Sequence, residues 1–322
     1  MTSQARLGVS FPLQDESLAS QADFVQELEA LGYADLWSSE AQDLDGFVPL
    51  ALASQWAPTL RLGVAILPVQ TRGPALLAMG AAALADVAPG RCVIGVGSSS
   101  EWIVSVQNAR PFERPFHATR DVVRFLRAAL GGADPSGDYD TFSVHGFRLR
   151  RKLAVPPKLM VAALRPGMLE MAGKESDGAI LNYVTPEDVA KSAAIVRAQG
   201  DGREVAARIY VCPTEDAEVV RKVARYSLAP YLSVPTYRRH QEWLGNERFY
   251  EAMWKRWAEG DVRAAREALS DEACDRLYIH GTPDACRARI QEYFDAGLDT
   301  AILGLIEEAM PPREQIRLLA PD

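Results

Sequence analysis

The sequence predicts an α/β protein in which eight parallel strands, each followed by a helix, close into a (β/α)8 TIM barrel. Two observations carry this prediction. Short apolar runs rich in β-branched residues alternate with amphipathic helical patterns along the 322 residues, and glycine or proline separates most of them. The competing fold, a doubly wound open sheet, is disfavoured because Gly95-Val96-Gly97 is not completed by a third glycine leading into a helix; Ser100 stands there.

The first half of the chain contains four strand–helix repeats. Strands are predicted at residues 6–11, 34–37, 60–67 and 92–96, and helices at 18–31, 47–56, 75–87 and 119–130. Gly32 suits the position just beyond a helix end, where a left-handed backbone is common, and Pro74 suits a first helical position. Four repeats in about 130 residues are typical of a parallel α/β protein.

The second half continues this pattern less regularly. Strands are predicted at residues 158–163, 178–182, 207–212 and 300–305, helices at 167–173, 186–198, 216–228, 283–296 and 313–319, and a small hairpin at 142–149. We expect one domain, residues 1–322, with a helical insertion after strand seven at about 230–280. Four aromatic residues are expected along one stripe of this insertion: Trp243, Tyr250, Trp254 and Trp257. The stripe suits an internal packing face, the floor of a substrate pocket or a subunit contact.

Composition and charge exclude several classes of protein. With 48% hydrophobic residues the chain can bury a large core, and its net charge of −8 argues against a nucleic-acid binder, which needs a basic face. The four cysteines form no C-x-x-C pair, which indicates reduced thiols in a cytoplasmic protein. The sequence has no signal-peptide pattern and no apolar run near the roughly 20 residues of a membrane span, so no membrane partner is expected.

The carboxyl ends of the strands form the active site in barrels of this kind. The fourth strand ends in Gly97-Ser98-Ser99, and a long segment follows before the next helix, so backbone N–H groups can approach a ligand closely. The strand ends carry no His-x-His metal pair and no lysine suited to a Schiff base, and Glu40 is the one ionisable acid expected there. Such a mouth suits a cofactor that does the chemistry while the protein orients it.

Four groups of residues at the strand ends together carry a resemblance to a known family. They are Leu36-Trp37-Ser38-Ser39-Glu40; Leu62 to Val69 with Thr71-Arg72-Gly73-Pro74; Gly97 to Ser100 with Asn108 and Pro111-Phe112-Glu113-Arg114-Pro115; and Ala162 to Met168 with Asp177 to Asn182. From about residue 6 to residue 305 the chain resembles the bacterial luciferase-like family, and within it the branch of oxidoreductases that use the deazaflavin coenzyme F420. The resemblance is weakest at residues 231–276.

The resemblance implies that the barrel mouth holds a flavin-like ring. A non-proline cis peptide behind the ring is expected at Ala65-Ile66, and Ser39 is expected to touch the ring. Gly97, Ser98 and Ser99 would line the ring or the ribityl chain; the alternative for the serines is a helix cap or an ordinary turn. Asn108 would bind the cofactor or hold its own loop. Ala109 follows it where this branch usually has glycine, so a different loop is expected.

The resemblance also places the cofactor phosphate at the end of strand five. Pro166 and Gly167 open a helix there, and the N–H groups and positive dipole of a helix N-terminus favour a phosphate. Arg165 would add a charge; the alternative is a solvated surface arginine. The complete set of expected cofactor-binding residues is Ser39, Ala65, Ile66, Gly97, Ser98, Ser99, Asn108, Ala163, Leu164, Arg165, Pro166, Gly167 and Asn182.

The implied chemistry is hydride transfer between C5 of the deazaflavin and a small organic substrate. Glu40 is the candidate catalytic residue, because it stands where a sugar-phosphate dehydrogenase of this family carries a histidine; the alternative is a carboxylate hydrogen-bonded to loop backbone. A homodimer is implied, and substrate specificity is expected in residues 225–280. Two other functions stay open: an FMN-dependent luciferase-like monooxygenase, and a flavin-binding barrel without catalysis.

Overall fold

Eight parallel strands close into a barrel in the computed structural model, which describes residues 5–41 and 43–321. The strands, in chain order, are β1 (Arg6–Ser10), β2 (Asp35–Ser38), β3 (Arg61–Pro68), β4 (Cys92–Gly97), β5 (Gly137–Asp138), β6 (Ser143–Val144), β7 (Lys158–Ala162), β8 (Gly178–Asn182), β9 (Glu204–Cys212), β10 (Tyr278–His280) and β11 (Thr300–Leu305). The barrel order is β1-β2-β3-β4-β7-β8-β9-β11, and β11 pairs back onto β1. The predicted barrel is therefore confirmed.

Helices surround the barrel. They are α1 (Ala22–Ala30), α2 (Val48–Trp56), α3 (Pro74–Val87), α4 (Pro115–Leu130), α5 (Pro166–Glu175), α6 (Pro186–Arg197), α7 (Ala217–Ser233), α8 (Pro235–Leu244), α9 (Glu251–Ala258), α10 (Val262–Glu267), α11 (Asp271–Asp275), α12 (Pro283–Asp295) and α13 (Pro312–Leu318). A π-helix (Trp102–Gln107) follows β4. Across residues 5–41 and 43–321, no helix combines the length and the apolar character that crossing a membrane requires.

Several predicted element bounds are wrong, among them those of α4, of the hairpin and of β9. Helix α4 begins at Pro115, four residues before the predicted start at 119, because proline fits the first helical position. The predicted hairpin at 142–149 is instead the short antiparallel pair β5 and β6. Strand β9 begins at Glu204 rather than at 207, because this polar side chain is buried in an ion network.

That ion network closes the base of the barrel. Arg61 donates from Nη1 to Oε2 of Glu204 (2.9 Å) and from Nη2 to Oδ2 of Asp35 (2.6 Å). Lys158 also donates to Oε2 of Glu204 (2.8 Å). Burial alone would raise the pKa of Glu204, but Arg61 and Lys158 outweigh it and hold the pKa at about 2. The base is therefore an ionised, fully paired plug.

One indole fills the barrel above this plug. Trp37 is buried, and two inward-facing glycines on neighbouring strands leave room for it. A Cβ on Gly63 would lie 2.2 Å from Cε3 of the indole, and a Cβ on Gly8 would lie 3.0 Å from Cδ1. Trp37 therefore belongs to the core of the barrel. A ligand in this barrel can therefore bind only above Trp37, at the mouth.

Helices α7 to α11, which lie between β9 and β10, pack around a second apolar cluster. Tyr250, Met253 and Trp254 are buried in it, and the Trp254 indole N–H donates to the Leu232 carbonyl oxygen (2.9 Å). Trp243 packs instead against the outer core of the barrel. The predicted aromatic stripe is therefore split between two cores, because a turn after α8 redirects the chain.

Candidate active site

The mouth of the barrel is lined by small and polar side chains. Val93, Met160, Ile180, Ala206 and Ile302 form the interior cluster around Trp37. Because strand side chains alternate, the residues two positions further along point into the mouth above that cluster. These residues include Ala162, Asn182, Arg208 and Gly304. The interior therefore changes from packed and apolar to open and polar within one layer.

Strand β3 bulges at the mouth. The peptide bond Ala65-Ile66 is cis, as the resemblance implied, and the pairing with β4 shifts register between Val64 and Leu67. Ala65 and Ile66 are half-buried, whereas their neighbours in β3 are buried. Opposite the bulge, a Cβ on Gly95 would lie 2.2 Å from the Val64 carbonyl oxygen, so this close approach requires glycine.

The end of β4 lies beside this bulge. A Cβ on Gly97 would lie 2.9 Å from Cβ of Ala162, so no side chain fits at this point of the wall. Ser98 and Ser99 are partly exposed, and Ser99 has a left-handed backbone (φ +59°). Ser100, not Ser98 or Ser99, accepts the N–H of Ile103 at the start of the π-helix (3.3 Å). A helix cap was the alternative role for Ser98 and Ser99, and in the structure Ser100 has that role.

Asn108 holds its own loop. Its side-chain amide donates to the Ile103 carbonyl oxygen (2.8 Å), across the end of the π-helix. Ala109, which stands where glycine is usual in the resembling branch, has a left-handed backbone with φ +51°. The loop therefore keeps a conformation that glycine favours although it carries a Cβ.

Glu40 lies in an ion cluster next to the bulge. Its backbone N–H donates to the Ile66 carbonyl oxygen (3.3 Å). Its carboxylate accepts from Nε of Arg72 (2.9 Å), from Nη2 of Arg72 and from the Gly46 N–H (3.1 Å). Asp45 also accepts from Arg72. The hydrogen bonds that Arg72 donates to Glu40 and Asp45 raise the pKa of Arg72.

A cleft of about 410 Å³ opens in front of this cluster. Glu40, Arg72, Gln107 and Asn108 are among the residues that line it. The structure thus brings Glu40 and Asn108 to one cleft, as two of the expected site residues. Sequence reasoning missed Arg72 as the partner of Glu40, since no pattern links two residues 32 positions apart.

The segment expected to bind phosphate lies at the start of α5. Arg165 and Gly167 are exposed, and the N-cap residue Arg165 makes no side-chain cap bond within the described chain. Ala163 is buried in the outer core, so it can meet a ligand only through its backbone. His240 packs behind the segment; burial, with the nearby Arg165 charge, lowers its pKa to about 4, so its imidazole is neutral at pH 7.

A second carboxyl group lies at the mouth, two residues beyond β11. Glu307 accepts the backbone N–H of Gln14 from the first loop (3.3 Å). Burial, together with the nearby charges of Glu308, Asp15 and Glu16, raises its pKa. Sequence reasoning missed Glu307 because it considered only residues at the ends of the strands, and Glu307 lies in the loop beyond the last strand.

Fold and site together define a class of protein: a (β/α)8 barrel with a sealed base and a polar, bulged mouth suited to a flat cofactor. The description of the family whose model matches residues 2–300 is luciferase-like monooxygenase, and the chain belongs to this family.

Individual relatives agree with this membership. A 5,10-methylenetetrahydromethanopterin reductase of Methanolobus tindarius is 26% identical over 306 residues, covering 92% of this chain and 93% of the relative. The coenzyme F420-dependent tetrahydromethanopterin reductase of Methanopyrus kandleri has a similar structure, with a TM-score of 0.79 at 20% identity over 98% of this chain and 97% of that one. An F420-dependent secondary alcohol dehydrogenase, solved in complex with an F420–acetone adduct, also has a similar structure. Its TM-score is 0.77 at 16% identity, and the match covers 99% of this chain and 100% of that one.

Proposed function

We propose that this chain is a single-domain oxidoreductase that transfers a hydride between coenzyme F420 and a small organic substrate. The observation that carries the proposal is the slot between the β3 bulge and the end of β4. Gly97 leaves this wall free of side chains, Trp37 seals the floor, and serine hydroxyl groups stand at the rim. A flat, polar-edged ring fits such a slot, and the two structural relatives described above are F420-dependent enzymes.

The residues present fit the deazaflavin. Ala65 and Ile66 would back its ring, and Ser98 and Ser99 would meet its polar edge. The open start of α5, with Arg165 and Gly167, would take its phosphate, because free N–H groups and a positive dipole end favour an anion. Ser39 and Asn182 would complete the rim. When bound, the deazaflavin supplies a carbon that accepts or donates a hydride.

The chain must supply the proton that accompanies the hydride. Glu40, whose carboxylate Arg72 and the Gly46 N–H hold in place beside the cleft, is one candidate for this role. It would accept a proton while an alcohol is oxidised. Glu307 is the second candidate for this proton, since burial raises its pKa and favours its neutral form. The same group must accept the proton in oxidation and return it in reduction, so the Gln variant of that group should lower kcat/KM in both directions by the same factor. The Gln variant of the other carboxyl group should keep both rates near those of the wild type.

Cofactor titration tests the proposed function. Purified protein is titrated with F420 and, in a separate experiment, with FMN. In the first titration the fluorescence of F420 should be quenched until the binding site is saturated. Arg165→Gln should weaken F420 binding by about tenfold if its charge meets the phosphate. Lys222→Gln, on the outer surface of α7, serves as the matched control and should bind like the wild type. Tight binding of FMN with none of F420 would overturn the proposal and favour an FMN-dependent monooxygenase, the chemistry in the family's description.

We also propose that the protein is a homodimer. Helices α2 and α3 expose large apolar side chains: Val48, Leu52, Leu76, Met79 and Val87. Scattered exposed residues are ordinary, but two neighbouring helices with such a row are typical of a protein–protein contact. Leu76→Glu should convert a dimer into a monomer in sedimentation velocity runs. Val155→Glu, an exposed apolar position outside both helices, should leave the dimer intact. A monomeric wild type would overturn this proposal.

The four cysteines are free and buried, which supports a compartment that keeps thiols reduced, and we propose the cytoplasm.

A further inference from the structure

Strand β9, which is the seventh strand of the barrel, places a guanidinium group in the mouth. Arg208 lies two residues beyond Ala206, whose side chain belongs to the interior cluster, so Arg208 points the same way one layer higher. Gly304 on the next strand makes room for it. A Cβ on Gly304 would lie 3.3 Å from Nε of Arg208 and 3.0 Å from Cδ1 of Tyr210.

Among residues 5–41 and 43–321, this guanidinium group has no anionic partner. Its Nε is buried without a hydrogen bond, and within the described chain the titratable groups that face it are Tyr183, Tyr210, Tyr231 and Tyr278. Phenols are neutral at pH 7, so none of them offsets the charge. The buried Arg61 at the base of the barrel, in contrast, is paired with two carboxylates. A half-buried guanidinium group whose Nε is buried and unpaired in the described residues is costly, which points to an anion that arrives from outside.

The surroundings of Arg208 form an aromatic wall. The ring of Tyr210 stacks on Tyr183 (centroids 5.1 Å apart) and on Tyr278 (4.8 Å). Tyr237 accepts the side-chain amide of Asn182 at its hydroxyl (3.1 Å), which leaves Oδ1 of Asn182 buried and without a partner in the described residues. The hollow thus offers one fixed cation, one unused acceptor and aromatic faces.

The barrel order separates this hollow from the proposed cofactor slot. The slot is built mainly on strands three to five (β3, β4 and β7), with Ser39 and Asn182 at its rim, whereas Arg208 is on strand seven (β9), which faces strand three across an eight-stranded barrel. Asn182, on β8 next to β9, lies between the slot and the hollow. A ring resting on β3 would therefore have Arg208 on its open face, where a substrate must approach.

We infer that Arg208 is the anchor for a carboxylate group on the substrate. The planar fork of a guanidinium matches a carboxylate, and one cation balances one negative charge, whereas a phosphate dianion would be left half neutralised. The tyrosine faces suit an aromatic or apolar body, and Oδ1 of Asn182 can accept a hydroxyl or N–H group from it. That the bound carboxylate belongs to a substrate rests on the proposed function. The existence of the anion site does not depend on it.

Benzoate tests this inference, with neutral benzamide as the matched probe, in calorimetric titrations of the full chain without cofactor. The wild type should bind benzoate saturably, and Arg208→Gln should bind it at least about tenfold more weakly, because the loss removes a charge-assisted bond. Arg208→Lys should fall between them, since it keeps the charge but not the fork. Arg203→Gln, one residue before the start of β9 and so at the opposite end of the barrel, should match the wild type. Benzamide should bind all four proteins weakly and alike.

Four results would overturn the inference. One is equal benzoate affinity of wild type and Arg208→Gln, and another is absence of saturable benzoate binding by the wild type. The third is a loss of F420 affinity in Arg208→Gln with benzoate binding unchanged, which would assign the guanidinium group to the cofactor. If no protein binds F420 or FMN but benzoate binding still depends on Arg208, the proposed function fails and the anion site stands. The melting temperature of Arg208→Gln should be unchanged or higher; a marked fall would show a structural role instead.

Discussion

Glu204→Gln should destabilise the protein by about 3 kcal/mol at pH 7, although it lies at the opposite end of the barrel from the active site. The wild-type carboxylate is buried and accepts from Arg61, Lys158 and Thr300. Glutamine keeps the size of the side chain and can still accept a hydrogen bond at its one carbonyl oxygen. What the substitution removes is the negative charge.

The magnitude follows from the pKa of Glu204. It falls from 4.5 to about 2 on folding, a difference of about 2.5 units, and each unit corresponds to about 1.4 kcal/mol. Because the folded-state pKa is the lower one, the stabilisation is fully present above pH 4.5 and is lost as pH falls through 2. The same relation leaves about 2 kcal/mol at pH 3.5.

Urea unfolding followed by circular dichroism at pH 7 and pH 3.5 measures this difference. The gap in unfolding free energy between wild type and Glu204→Gln should narrow on acidification. Glu175→Gln is the control: Arg124 holds that carboxylate at the surface, where such a pair contributes at most about 1 kcal/mol. A loss below 1 kcal/mol for Glu204→Gln at pH 7, or a gap that does not narrow at pH 3.5, would refute the reasoning.

Three further predictions concern the barrel interior, the loop after β4 and the mouth. Gly63→Ala should destabilise by about 1–3 kcal/mol, since its Cβ overlaps the Trp37 ring, and unchanged urea unfolding would contradict that packing. Ala109→Gly should raise stability by about 0.5–1 kcal/mol, because glycine relieves the left-handed backbone, and a lower melting temperature would count against it. The rate of substrate reduction should decline as pH rises through the raised pKa of Glu307. If a Glu307→Gln variant keeps this decline, Glu307 is not the proton donor.

The fold could be predicted from the sequence because glycine and proline mark the ends of nearly every strand. The exceptions are instructive: the start of β9 was missed since Glu204, a polar residue, is typical of a loop, and only the closed barrel reveals its cationic partners. Strand β10 is too short for a periodic pattern.

The candidate site was less accessible to sequence reasoning. The position of Glu40 followed from the strand pattern, but its pairing with Arg72 joins two separate loops. Glu307 lies beyond the last strand, and its environment depends on the first loop. An arginine within a strand ordinarily points to solvent, so the inward direction of Arg208 could be recognised only from the register of the finished barrel.

Strand β9 has divided pairings: its first half pairs with β8, and its last residues pair with β10. In that register Tyr278 stands beside Tyr210, so the chain that leaves β9 after Cys212 returns next to it. Residues 213–277 are thus a cassette whose two ends are neighbours in the sheet. Exchange of this cassette between relatives would replace Tyr231 and Tyr237 while Arg208 and the β3 bulge stay in place. Recombination could in this way change the body of an accepted substrate without changing the point to which it is anchored.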